Sequence, residues 1–210
     1  MKRSWVLIIL LAWGSLCAQQ DEKYVQQLAD EFTAKLAERG IQNYFSATFY
    51  CMGNIQMFRM NDGSMCSSKG TYVETYVFWT ESDDEAWVKK MDNCGLFLSV
   101  QLEDNSLLSL VQERQSDLEQ MAVKPFETED MKEGVPSQRT SIHNCIRAYD
   151  FHLETKMFQQ EFNTMAFIEA SKDDTNLNYE YNSQLAMFGV NAQCEALVKA
   201  LDADGQFKRM

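Results

Sequence analysis

The 210-residue chain has 45% hydrophobic and 12% aromatic residues, which is enough for a packed core in one domain or in two small domains that share a core. Its 19 basic and 31 acidic residues give a net charge of −12. So large an excess of carboxylates repels nucleic acid and anionic lipid head groups, and we therefore exclude both as partners.

The first 18 residues have the order of a secretory signal peptide. Two basic residues near the start precede an uninterrupted apolar run at 5–13, and small or weakly polar residues follow up to Ala18. The apolar run is shorter than the roughly 20 residues that cross a bilayer. We expect cleavage between Ala18 and Gln19, which leaves a secreted or periplasmic chain, residues 19–210, without a stable membrane span.

Cys17 raises a second interpretation, in which this cysteine becomes the acylated first residue of a lipoprotein. That processing normally requires a small residue immediately before the cysteine, and the residue here is Leu16. We therefore favour plain secretion over lipid anchoring.

The segment after the signal peptide predicts a helix and then strands. Apolar residues recur at every fourth position across 20–39, which indicates an amphipathic helix that ends at Gly40. From 44 to 80 the pattern changes to strands separated by turns, and the strongest strand is Thr71–Thr80, which is almost entirely β-branched or aromatic. The predicted strands of this region are 45–51, 55–60 and 71–80.

The rest of the chain predicts shorter elements. Ser82 and Glu85 have the spacing of a helix capping box, which predicts a helix that begins there. Near the end of the chain, a glycine inside a helix would cost about 1 kcal/mol, so we favour a strand around Gly189. We predict helices at 82–95, 105–121, 157–162 and 192–203, and strands at 96–102, 140–153, 164–169 and 184–190. Residues 122–139 contain both prolines of the chain, and we predict an exposed connection there.

Groups of consecutive strands with helices between them indicate an α+β fold. We expect an antiparallel meander sheet that is packed by the N-terminal helix and by further helices. The sheet would belong to one domain over 19–210, or to two small halves that share one core.

Five cysteines follow the signal segment, and in an oxidising compartment cysteines that come close together form disulfides. Cys51 and Cys66 flank a predicted hairpin, and closing this loop of about 15 residues would stabilise the fold by roughly 3 kcal/mol. We therefore predict a Cys51–Cys66 disulfide. The pairing of Cys94, Cys145 and Cys194 stays open, and the odd number leaves at least one cysteine unpaired.

The only histidines, His143 and His152, raise the question of a metal or Cys/His site with Cys145. On a regular strand over 140–153, odd positions share one face, so His143 and Cys145 would face the core and His152 the solvent. The two imidazoles would point in opposite directions. We therefore predict neither metal ligands nor catalytic residues among them, and no cofactor.

Four methionines lie close together in the sequence, at Met52, Met57, Met60 and Met65. Thioether sulfur binds Cu(I), but on a strand Met57 and Met60 would face opposite sides. We interpret these methionines as packing in the core.

Tyr72, Tyr76 and Phe78 share one face of the predicted strand 71–80, and the opposite face is apolar as well. Such a sheet is either covered by helices on both sides or leaves one face open. Covered faces are the simpler interpretation. An open aromatic face would contact a ligand or partner, and these three residues are our candidates for it.

The sequence contains no nucleophile elbow, zinc-peptidase motif, Walker loop or dinucleotide fingerprint. We expect an exported, non-enzymatic binding or interaction module whose partner is an unidentified protein or small molecule. Two alternatives stay open. One is a secreted hydrolase whose active site assembles only in the fold, and the other is an exported protein that binds metal through Met and Cys.

Overall fold

The computed structural model describes residues 21–82, 85–132, 134–139, 144–171 and 174–210. The predicted signal segment with Cys17, the cleavage site between Ala18 and Gln19, and His143 all lie outside these residues. Within them, the chain has an α+β fold in which helices pack on a mostly antiparallel sheet. Among the described residues, no helix is both long and apolar enough to span a membrane.

The helices are α1 (Glu22–Glu38), α2 (Ser106–Glu113), α3 (Gln115–Gln120), α4 (Tyr179–Ser183) and α5 (Ala186–Ala203), with a 3-10 turn at Thr164–Phe167. The strands of the first half are β1 (Tyr44–Cys51), β2 (Met57–Arg59), β3 (Met65–Ser67), β4 (Val73–Ser82), β5 (Glu85–Asp92), β6 (Gly95–Leu96) and β7 (Val100–Gln101). Those of the second half are β8 (Glu127–Lys132), β9 (Val135–Gln138), β10 (Cys145–Leu153), β11 (Lys156–Asn163), β12 (Ala170–Ser171) and β13 (Asp174–Thr175).

The main sheet has seven strands in the order β11-β10-β1-β4-β5-β6, and β7 also pairs with β5. Neighbouring strands β4 and β5, and likewise β10 and β11, form antiparallel hairpins. The two halves of the chain meet where β1 pairs with β10, in a register that runs from Tyr44 opposite His152 to Cys51 opposite Cys145. Both halves therefore contribute strands to one sheet.

Helix α1 covers one face of the sheet, as its apolar periodicity predicts. Asp21 accepts a hydrogen bond from the backbone N–H of Tyr24, and Gly40 takes a φ of 80° that lets Ile41 donate to the carbonyl of Leu36. The buried side of the helix packs on apolar side chains of β4 and β5. The residues of this cluster are Val25, Ala29, Leu36, Val73, Val77, Trp79 and Met91.

Helices α2, α3 and α5 cover the opposite face, where the larger core lies. Strands β1, β4 and β10 contribute rings that stack across the sheet, such as Phe45 on Phe78 at 4.7 Å between centroids and Phe45 on Phe151 at 5.8 Å. Helices therefore pack on both sides of the described sheet at β4. Of the two interpretations of the aromatic residues on this strand, the covered sheet is the one observed.

The predicted helix over 82–95 is wrong, because this segment contains strand β5. Ala86 and Val88 point to the larger core, whereas Trp87 and Met91 point to the α1 side. A strand that is buried on both faces lacks the polar–apolar alternation of a half-exposed strand, so its sequence resembles a short helix.

Three further elements differ from their predictions. Residues 157–162 lie in strand β11 rather than in a helical turn, and residues 164–169 begin with a 3-10 turn rather than a strand. The predicted strand 184–190 belongs largely to α5. Gly189 does not end this helix, because the buried contacts of its neighbours outweigh the cost of about 1 kcal/mol for a helical glycine.

The described residues of 122–139 include the β8–β9 hairpin, whose strands are mostly exposed. Phe126, however, is buried, and the side chain of buried Asn182 pairs with the backbone of Lys124, accepting from its N–H at 3.0 Å and donating to its carbonyl at 2.8 Å. This connection is therefore anchored at its base rather than free along its whole length.

The predicted Cys51–Cys66 disulfide is also wrong. Cys51 bonds to Cys145, and Cys66 bonds to Cys94. The cause is register: Cys51 ends β1 directly opposite the start of β10, while in the β2–β3 hairpin Cys66 lies opposite Phe58. Cys194 is the free thiol among the described cysteines, and it is buried.

Removing the Cys51–Cys145 bond should destabilise the protein more than removing the Cys66–Cys94 bond. The chains that they close span 94 and 28 residues, so the chain-entropy relation gives losses of about 4.7 and about 3.6 kcal/mol. Urea unfolding of the two double serine variants measures both losses. Peptide mapping that links Cys51 to Cys66 in the native protein would contradict the assignment.

Candidate functional site

A groove of about 670 Å³ lies between α5 and the segment 100–107, which runs from β7 into α2. Its lining comprises Val100, Gln101, Leu102, Glu103, Asp104, Ser106, Leu107, Gln193, Ala196, Leu197, Ala200, Leu201, Asp204 and Gln206. We call this the α2–α5 groove. It lies beside the β5 edge of the sheet, because β7 pairs with β5.

The groove exists because one side of α5 carries small side chains. Ala196 and Ala200 lie one turn apart on this side and are exposed, so no bulky group fills the space above them. Leu197 and Leu201, each the next residue along, are half-buried and pack on the larger core. The alanines leave space and the neighbouring leucines anchor the helix. The floor of the groove is therefore concave and apolar.

The charged groups of the groove are all carboxylates. Glu103 and Asp204 are exposed, and Asp104 accepts a hydrogen bond at 2.8 Å from the backbone N–H of Ser106. Hydrogen bonds from the Ser106 side chain and backbone lower the pKa of Asp104 below its usual range. The groove therefore combines an apolar floor with a negative rim, a combination that suits a ligand with an apolar body and a cationic end.

On its other side, α5 contacts the sheet through an ion pair between Asp202 and the buried Lys90. The ammonium of Lys90 lies 2.6 Å from Glu74 and 3.5 Å from Asp202, and it lies over the ring of Tyr76. Each of these positive and negative groups has an opposite charge close by, so the cleft beside them is electrostatically balanced.

The C-terminal residues are held by a second buried ion pair. Arg209 donates two hydrogen bonds of 2.6 Å each to Asp92, whose side chain is fully buried. The Tyr72 hydroxyl donates to the same carboxylate at 3.0 Å and lies 3.0 Å from Glu74. Burial and these neighbouring carboxylates raise the pKa of Tyr72 well above its usual range.

The three residues predicted to form a ligand face do not form one. Tyr72, Tyr76 and Phe78 are 6%, 3% and 0% exposed. Tyr72 belongs to the network at Asp92, while Tyr76 and Phe78 pack under α5 and α2. The prediction is wrong because strands alone cannot show which helices will cover them.

The face of β1, β10 and β11 that lies beyond α1 carries mainly polar side chains, many of them half-buried. His152 and Asp150 point to this face, as the strand alternation predicts, and the His152 imidazole stacks on Tyr44 at 4.4 Å between ring centroids. Cys145 is bonded to Cys51, so it is not available as a thiolate partner for a histidine. Among the described residues, no group of three His, Cys, Asp or Glu side chains could hold a metal ion.

The interpretation of the clustered methionines as core residues is wrong for three of the four. Met52, Met57 and Met65 are 54%, 65% and 59% exposed. Phe58 and Cys66 take the inward positions of the β2–β3 hairpin, so Met57 and Met65 take the outward ones. Two thioethers thus share an outer surface.

Sequence reasoning missed the α2–α5 groove. A local signal for it exists, since Gln193, Ala196, Ala200 and Asp204 recur at helical spacing as a stripe without large apolar residues. This pattern does not show which segment forms the opposing wall of the groove, because residues 100–107 are about 90 positions away in the chain. No protein-family model, curated protein or solved structure matches this chain.

The imidazole of His152 should titrate below the usual histidine value of about 6.5, because burial lowers its pKa more than nearby Asp150 raises it. The folded protein then favours the neutral ring. Its contribution to the free energy of unfolding is complete above about pH 6.5 and is lost as the pH falls through the lowered pKa. An NMR titration, assigned with His152→Gln, measures the value, and a midpoint above 6.5 would contradict this reasoning.

Proposed function

We propose that this protein is an exported, non-enzymatic binding protein whose α2–α5 groove holds a small amphipathic molecule with an apolar body and a cationic end. The observation that carries the proposal is the combination of an apolar floor with a rim whose charged side chains are Glu103, Asp104 and Asp204.

The size of the groove supports a small-molecule ligand. Binding sites for such ligands occupy roughly 300–1,000 Å³, and this groove has about 670 Å³. Burial of apolar surface contributes roughly 25 cal/mol per Å², so covering the floor made by Ala196, Ala200, Leu197 and Leu201 would favour binding. The carboxylates then select the charge of the ligand.

Export is supported by the disulfides and by the order of the first 18 residues. Two disulfides are present, at Cys51–Cys145 and Cys66–Cys94, and such bonds persist mainly outside the cytosol. The alternatives from the sequence, a secreted hydrolase and a protein that binds metal through Met and Cys, stay predictions.

Three probes with the same octyl chain test the selectivity: octyltrimethylammonium, octyl glucoside and octanesulfonate, each titrated calorimetrically below its micellar concentration. We expect the cationic probe to bind at least tenfold more tightly than the anionic one, with the neutral probe between them. Equal affinities for all three would contradict the role of the carboxylates.

The same titrations with Ala200→Trp test the location, since an indole at this exposed position fills the groove without disturbing the core. Ala192→Trp is the matched control, because Ala192 is exposed on the same helix and lies outside the groove. We expect Ala200→Trp to weaken octyltrimethylammonium binding at least tenfold and Ala192→Trp to leave it unchanged. An equal effect of both variants would place the binding elsewhere.

A further inference from the structure

The two edges of the main sheet differ. At the β5 edge, the short strands β6 and β7 are followed by the C-terminal segment, where Leu98 donates to Lys208 at 2.8 Å and Met210 to Leu96 at 3.0 Å. At the opposite edge, strand β11 pairs with β10 alone. One edge is therefore closed by the chain itself, and the other is open along the described residues.

The open edge offers a continuous row of backbone groups. Strand β11 has eight residues, and its register with β10 runs without a shift from Asn163 opposite Ile146 to Lys156 opposite Leu153. The hydrogen bonds of the described residues include none to the outward backbone groups of residues 157–162. In such a strand, alternate residues direct both their N–H and C=O outward.

Edge strands in natural proteins are usually protected by proline, a bulge, charged side chains or a covering segment, because an intact edge pairs readily with another strand. β11 contains no proline and no bulge, and its most exposed apolar side chain, Met157, is 75% exposed. The edge therefore has the geometry that receives an added strand through main-chain hydrogen bonds.

The surface beside this edge carries negative charge on the side of α1. A groove of about 190 Å³ runs along β10 and β11 under the start of α1, and its charged side chains are Glu22, Asp150 and Glu161. Tyr50 lies among them, and burial together with Glu161 and Glu22 raises the pKa of its hydroxyl. Side chains of an added strand that point to this side would meet carboxylates.

The other face of β11 lies against the larger core and the end of α3. Phe158 is half-buried and Phe162 is buried there, and between them the Gln160 side chain donates to the carbonyls of Leu118 and Met121. Because successive side chains of a strand point to opposite faces, an added strand would have one set of side chains near the carboxylates and the other near these rings. The matching sequence alternates basic and apolar residues.

We propose that β11 is a docking edge for an extended peptide segment in which basic and apolar residues alternate. The peptide adds an eighth strand to the sheet, with its basic side chains toward Asp150, Glu161 and Glu22. A second copy of this chain is a poorer occupant, because β11 paired with β11 would place a negatively charged groove beside an identical one. This site is independent of the α2–α5 groove, which lies at the opposite edge of the sheet.

The test uses a fluorescent Lys-Val-Lys-Val-Lys-Val-Lys peptide and its Glu-Val counterpart, with binding to the full chain measured by fluorescence anisotropy. We expect the lysine peptide to bind at least tenfold more tightly. Two further lysine peptides carry N-methyl groups on either the Lys or the Val nitrogens, and one of the two should lose at least tenfold in affinity, because methylation removes the N–H groups that face β11. Equal binding of all four peptides would overturn the proposal.

Charge reversal at the edge locates the site. Glu161 is exposed, so Glu161→Lys should fold normally, weaken the lysine peptide at least tenfold and improve binding of the glutamate peptide. Glu129→Lys, at an exposed position of the β8–β9 hairpin, is the matched control and should change neither. Hydrogen exchange of amides in 157–162 should slow when the lysine peptide binds. Three outcomes would each overturn the proposal. They are unchanged hydrogen exchange in 157–162, equal effects of the two variants, and a peptide-free dimer that Glu161→Lys dissociates.

Discussion

The pairing of β1 with β10 is the constraint on which the rest of the structure depends. These two strands come from opposite halves of the chain, and eight consecutive residue pairs join them. A shift of one residue would move every side chain to the other face. The Cys51–Cys145 bond links the last of these pairs and keeps the register in place. Because β1 also pairs with β4, this register determines which side chains meet α1 and which meet α5.

Most arginines of the described residues are paired with carboxylates. Of the six arginines that the structure describes, five are in salt bridges with carboxylates, and the pair of Arg209 with Asp92 is largely buried. Lys90 is similarly enclosed between Glu74 and Asp202. In a chain with net charge −12, carboxylates are the charged side chains that line both proposed sites. Both proposals rest on this excess of acid, because carboxylates attract cationic groups.

Elements with one buried face were predictable, and elements buried on two faces were not. Helix α1 was predicted to within two residues at its start and one at its end, because its apolar side recurs at helical spacing above a polar side. Strands β1 and β4 were recognisable from their β-branched and aromatic residues. In contrast, β5 has side chains buried on both sides, so no periodicity separates a strand from a helix there. For α5, contacts with the core outweighed the local preference of Gly189.

The sequence by itself determined the α+β class, the charge, and the alternation that directs His152 and Asp150 away from the core. These properties depend on composition and on the spacing of apolar residues, and both can be read from short stretches of the sequence. Only the tertiary structure decided the partners of Cys51 and Cys66, the burial of the aromatic side chains on β4, and the existence of the α2–α5 groove. Each of these depends on contacts between residues far apart in the chain, and the register of β1 with β10 has no local signature that would reveal them.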